Sequence, residues 1–126
     1  MEQQIKEVAL AKQRCSACEG DVQPLDAAHV DMLMSVLGDA DWQVVDYHHL
    51  FRAFRFPNFE KALGFTNQVG ALAEEEGHHP DILLGWGKAE ITLWTHSINA
   101  LSMNDFVLAA KISQVYRTPG TVPRVK

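Results

Sequence analysis

The sequence predicts an α+β domain: a four-stranded antiparallel sheet with three helices on one face, in the order α-β-β-α-β-β-α. Three observations carry this. Three stretches repeat apolar residues at helical spacing. Two pairs of short stretches are rich in β-branched and aromatic residues. The connection inside each pair is short enough for a hairpin, which makes the sheet antiparallel. Two helix–sheet layers leave the other sheet face either polar and wet or set against a second subunit.

Each element has a local cause. Residues 1–24 read as an N-terminal arm, with a weak helical pattern at Ile5, Val8, Ala9 and Lys12 and then Cys15-x-x-Cys18 in a loop. The domain proper spans 25–118. Its first helix covers 26–37, with Asp26 as N-cap, Leu25 and Val30 at staple positions, and Val30, Leu33, Met34 and Leu37 on one face before Gly38. Strands follow over 42–46 and 49–56, drawn from Trp42, Val44, Val45 and Tyr47, then Leu50, Phe51, Phe54 and Phe56. Asn58 caps a long helix over 59–76, with Phe59, Ala62, Phe65, Val69, Leu72 and Ala73 on its buried side and Gly77 at its end. A second strand pair is expected over 82–86 and 88–96, where Ala89, Ile91, Leu93 and Thr95 share one face and Glu90, Thr92, Trp94 and His96 the other. The last helix starts at Ser102 and Asp105, which have capping-box spacing, with Leu101 and Phe106 as staple. It runs to about Arg117, and residues 119–126 form a tail.

Composition excludes several function classes. The chain has 126 residues, 47% of them hydrophobic and 21% charged, enough apolar material for one core. Its net charge of −5 argues against nucleic acid as a partner, which needs clustered Lys and Arg. No run nears the ~20 apolar residues of a membrane span, and no signal-peptide core opens the chain, so a cytoplasmic location is expected. The Cys15–Cys18 pair has no second half to complete a zinc ribbon; free thiols are expected, with a zinc shared between two chains as the alternative.

The chemistry points to histidine. Three of the six histidines, His78, His79 and His96, lie at the ends of elements, where a rigid scaffold leaves side chains accessible. Glu74, Glu75 and Glu76 and the negative end of the long helix set negative charge beside His78 and favour its imidazolium form. Imidazoles near neutral pH both deliver and accept protons. Adjacent His78 and His79 lack the i, i+4 placement of helical metal ligands, so no metal is expected. Asp105 has two readings, helix cap and a carboxylate facing the histidines. Trp94, on the strand face assigned to His96, can wall a pocket for a flat ligand. His48 and His49, a second pair inside the first hairpin, read as structural or exposed.

The segment Glu74-x-x-x-His78-His79-Pro80, then Ile91-Thr92-Leu93-x-Thr95-His96, then Leu101-Ser102-x-x-Asp105, resembles the pterin-4a-carbinolamine dehydratase family. Trp42 and Phe54-Arg55-Phe56-x-x-Phe59-x-x-Ala62-x-x-Phe65 resemble its first half, and the likeness covers about residues 21–117. The resemblance implies the same α+β fold and a hydro-lyase without cofactor. Such an enzyme dehydrates 4a-hydroxytetrahydropterin to the quinonoid dihydropterin and so recycles a tetrahydrobiopterin-type cofactor. It implies catalysis by His78, His79 and His96, with His78 and His96 as acids for the hydroxyl and His79 holding the ring and accepting a proton. Gly77, Trp94, Thr95 and Ser97 would bind the pterin's polar edge, and Glu74, Pro80 and Asp105 would support the histidines. A homodimer or homotetramer and a functional link to an aromatic amino-acid hydroxylase are also implied. The alternatives are a dimerisation partner of a transcription regulator, or a relative with another pterin substrate in molybdopterin metabolism. Two positions depart from the family pattern: Gly77 stands where relatives often carry an acidic residue, and Ala100 where a Gly usually precedes the Leu, costly if that backbone has positive φ.

Overall fold

The computed structural model describes residues 9–13, 22–38 and 41–117. Cys15, Cys18 and the tail from 119 onward lie outside the described residues. Helix α1 (Ala27–Leu37) leads into strands β1 (Gln43–Val45) and β2 (His49–Arg55). Helix α2 (Phe59–Glu76) then precedes β3 (Asp81–Gly85) and β4 (Lys88–Leu93), and a 3-10 turn (His96–Ile98) leads to α3 (Met103–Arg117). The sheet order is β1-β2-β4-β3, antiparallel throughout. This is the α+β architecture the sequence predicts.

The helix ends follow from single residues. Asp26 accepts the His29 N–H at 2.9 Å, and that bond with the His29 ring holds its carboxyl below the usual range. Asn58 accepts the Lys61 N–H in the same way. Gly38 and Gly77 close α1 and α2 at φ 64° and 68°, a left-handed region where a Cβ is disfavoured.

The helices cover the sheet face that carries Leu50, Arg52 and Phe54 of β2 and Ala89, Ile91 and Leu93 of β4. Val30, Leu33 and Leu37 of α1, Phe65 and Val69 of α2, and a run from Phe106 to Val115 of α3 complete the core. Helix α3 is buried almost all round, so it is the spine on which the other layers rest. Trp42 donates its indole N–H to Ser113 of α3 at 2.8 Å, as its burial requires. Arg52 reaches Ser113 at 3.2 Å with its guanidinium over the Phe54 ring. A helical turn at 9–11 adds Leu10 and Ala11 to the core, so part of the N-terminal arm packs against the domain.

Three differences from expectation have physical causes. Strand β4 ends at Leu93 instead of 96, because the Thr95 N–H turns to the Ala100 carbonyl at 2.9 Å and residues 96–98 coil. Phe59, expected on the buried side of α2, is 43% exposed, since it opens the helix beyond the edge of the core. The left-handed residue near Ala100 is Asn99, at φ 51°, so Ala100 carries no such strain.

The β1–β2 turn is unusual. Asp46 and Tyr47 both have positive φ, 54° and 52°, although neither is Gly. The His48 N–H donates to the Val45 carbonyl at 2.8 Å across the turn, and the Tyr47 hydroxyl donates to Asp31 of α1 at 2.9 Å. A left-handed residue with a side chain costs roughly 1–2 kcal/mol, so these contacts hold a turn the backbone alone would not choose.

Candidate active site

The site is assembled around Asp105, in the first turn of α3. Its Oδ1 accepts the His78 Nε2–H at 2.6 Å, and both side chains are buried, at 4% and 0% exposure. Its Oδ2 accepts the Thr95 hydroxyl at 2.8 Å and the Ser102 N–H at 2.9 Å. The order of donors follows from the acceptor-only carboxylate. Thr95 gives its proton to Asp105, so the Ser102 hydroxyl donates to Thr95 Oγ1 at 2.7 Å and itself accepts the Asn104 N–H at 3.2 Å. Every member of this buried group has a partner, and a helix N-terminus favours the negative charge at its centre. Asp105 thus serves as cap and as anchor for a histidine; the two readings of the sequence are one arrangement.

The anchor joins two corners of the fold. Gly77, exposed and left-handed, turns the chain out of α2 so that His78 enters the core and His79 faces solvent. His79 lies 2.5 Å from Glu74, one turn back on α2, with its side chain 58% exposed. Pro80, half-buried, leads directly into β3. At the second corner Thr95 is bound to Asp105, and the next residue, His96, starts the 3-10 turn with its side chain exposed. Trp94 stands edge-on to the His96 ring with centroids 4.3 Å apart. Ser97 is exposed beside it.

Glu74 turns to His79, Glu76 is buried and lies 3.5 Å from Lys111 of α3, and Glu75 points to solvent. His78 is bound to the Asp105 carboxylate. Thr95, expected at a ligand's edge, is fully buried, its hydroxyl taken up by Asp105 and Ser102. Among the described residues no group of three or more His, Cys, Asp or Glu is arranged to hold a metal ion.

Sequence reading missed one neighbourhood. His48, His49 and Asn99 gather around Trp94, with His48 2.9 Å from the Asn99 side chain and 3.1 Å from His49. The signal was the doubled histidine; what it touches depends on the β2–β4 register.

The family described as pterin 4 alpha carbinolamine dehydratase matches residues 23–115. The chain belongs to that family. Among curated relatives, a provisionally named pterin-4-alpha-carbinolamine dehydratase of Rubrobacter xylanophilus is 52% identical over 106 residues, 84% of this chain and 97% of that protein. One from Rickettsia canadensis is 47% identical over 103 residues, 82% and 94% of the two chains. A solved transcriptional coactivator/pterin dehydratase from Brucella melitensis superposes with a TM-score of 0.69 at 28% identity, over 75% of this chain and 99% of that one. A pterin dehydratase-like protein identified as a RuBisCO assembly factor in the alpha-carboxysome gives 0.53 at 26% identity, over 60% and 89%. Membership in the pterin carbinolamine dehydratases makes the chain an enzyme of hydro-lyase type. The segment that carries the three histidines and Asp105 lies inside the matched region.

Proposed function

We propose that this dehydratase removes water from 4a-hydroxytetrahydropterin to give the quinonoid dihydropterin, with histidine as acid and base. The observation that carries the reading is the shared carboxylate: Asp105 holds His78, next to His79, and Thr95, next to His96. In the reaction the C4a–O bond breaks, the hydroxyl leaves as water after receiving a proton, and the N5–H proton departs as the C4a=N5 bond forms. Of the three motif histidines, His79 and His96 are exposed and so able to meet a ring. His96 delivers the proton to the hydroxyl, and His79 takes the N5 proton with Glu74 beside it to steady the imidazolium. His78 keeps the acid role that the family resemblance implies, its orientation set by Asp105. Gly77, Trp94 and Ser97 are the groups left for the pterin's polar edge, whereas Thr95, buried and bonded through its hydroxyl and its backbone, supports the site from behind. Recycling of a reduced pterin for an aromatic amino-acid hydroxylase, in a cytoplasmic homodimer or homotetramer, is the biological setting this reading implies. No described helix is long and apolar enough to cross a membrane.

Stopped-flow dehydration of synthetic 4a-hydroxytetrahydropterin tests it. The wild-type chain should accelerate the step, and His79→Ala and His96→Ala should each lower kcat by about 10²-fold. Near-wild-type turnover by His96→Ala would remove its role as acid. No turnover by a folded wild-type chain would sink the dehydratase reading. That result would favour a partner-binding role, for which Phe59 and Leu63, exposed one turn apart on α2, offer an apolar face.

A further inference from the structure

We propose that His48 is a positioning residue for His96, acting through Asn99 and Trp94; the catalytic consequence rests on the dehydratase reading above. The turn that carries His96 is closed at its base by the Thr95–Ala100 pair. Its far end is Asn99, whose backbone N–H donates to the His96 carbonyl at 3.2 Å and whose φ of 51° caps the turn. That cap residue is held from outside the turn. His48 Nε2 lies 2.9 Å from Asn99 Oδ1, a contact across 51 positions of sequence.

The partners orient the His48 ring. Asn99 Oδ1 is an acceptor, so His48 donates its Nε2–H to it. His49 Nδ1 lies 3.1 Å from His48 Nδ1, so one ring donates to the other there. His49 therefore holds the ring of His48, and His48 holds Asn99. Trp94 supplies the second restraint. Its indole stands 4.3 Å from the His96 ring, and 5.6 Å and 6.1 Å from His48 and His49, centroid to centroid. The Leu50–Leu93 register brings the hairpin histidines alongside the Trp94 end of β4, and the strained Asp46–Tyr47 turn aims His48.

An exposed imidazole on a short turn samples many positions, and only a few are within reach of a leaving hydroxyl. Misplacing a catalytic group by an ångström costs up to about 10²-fold in rate. The hairpin histidines remove that freedom without touching the substrate.

The experiment compares His48→Ala, His48→Gln and Asn99→Ala with wild type. It reads kcat, KM and the His96 ring signals in NMR spectra of labelled protein. His48→Ala and Asn99→Ala should lower kcat about tenfold and leave KM within about threefold. His48→Gln, whose amide nitrogen occupies the place of Nε2, should restore most of the rate. In both Ala variants the His96 ring signals, displaced by the Trp94 ring current, should move toward those of free histidine. His48→Ala in a His96→Ala background should cost nothing further. Unchanged His96 signals in His48→Ala, or rate losses that multiply in the double variant, would overturn the proposal. If the wild-type chain does not turn over the carbinolamine, the dehydratase reading fails, and the His96 signals alone still decide the clamp.

Discussion

His78 and Asp105, 27 positions apart, meet at 2.6 Å inside the protein, the imidazole N–H on a carboxylate that also caps α3. One side chain thereby ties the end of the longest helix to the start of the most buried one.

Asp105→Asn tests that tie. The carboxylate accepts from His78, Thr95 and Ser102, whereas an amide has a single acceptor oxygen and must turn its NH2 toward at least one donor. An unsatisfied buried donor costs about 1–3 kcal/mol. Urea unfolding should show a loss in that range, and stopped-flow should show kcat falling together with it. Wild-type stability in this variant would mean the network matters less than its geometry implies.

Glu74→Gln separates catalysis from stability. The Glu74–His79 pair is exposed on both sides, and such pairs contribute about 0–1 kcal/mol. The unfolding midpoint should barely move, while kcat drops several-fold as the imidazolium loses its neighbouring charge. A variant with full activity would take Glu74 out of the site.

Gly77→Ala isolates a backbone cost. A Cβ at Gly77 meets nothing within 4 Å, so only its φ of 68° resists the change. A loss of about 1 kcal/mol is expected, smaller for Gly77→Asn, because Asn tolerates the left-handed region. Chemical denaturation of the two variants side by side measures the difference.

Tyr47 gives a prediction in alkali. Its hydrogen bond to Asp31, together with the carboxylate's charge, holds the phenol above its ordinary value. The folded-state value is the higher one. What the contact adds to stability is therefore complete below about pH 10 and lost as pH rises through the folded value. The chain has two tyrosines, so an absorbance titration of wild type against Tyr47→Phe resolves Tyr47 by difference. Asp31→Asn should return it to the ordinary range.

What was legible in the sequence was whatever depended on neighbours in the chain. Asn58 and Gly77 bound α2 at 59–76 through contacts within a few residues, and the Ser102–Asp105 box marked α3 for the same reason. That His78, Thr95 and Asp105 belong together was legible as a motif. The partners of the histidines were not. His78 meets Asp105 and His48 meets Asn99 only because a hairpin, a helix and a strand end arrive together, and the β2–β4 register decides this. The partners of the glutamate run were hidden for a related reason: neighbours on a helix point in different directions, and Glu74 lies beside His79 while Glu76 lies beside Lys111.

The Thr95–Ala100 closure has a consequence for grafting. Residues 96–99 form a loop whose ends are stitched together beneath it, so exchanges of its exposed residues leave β4 and α3 in place, while Asn99 stays tied to His48. Transplanting the corresponding segment of a relative should alter ligand preference while the scaffold keeps its fold.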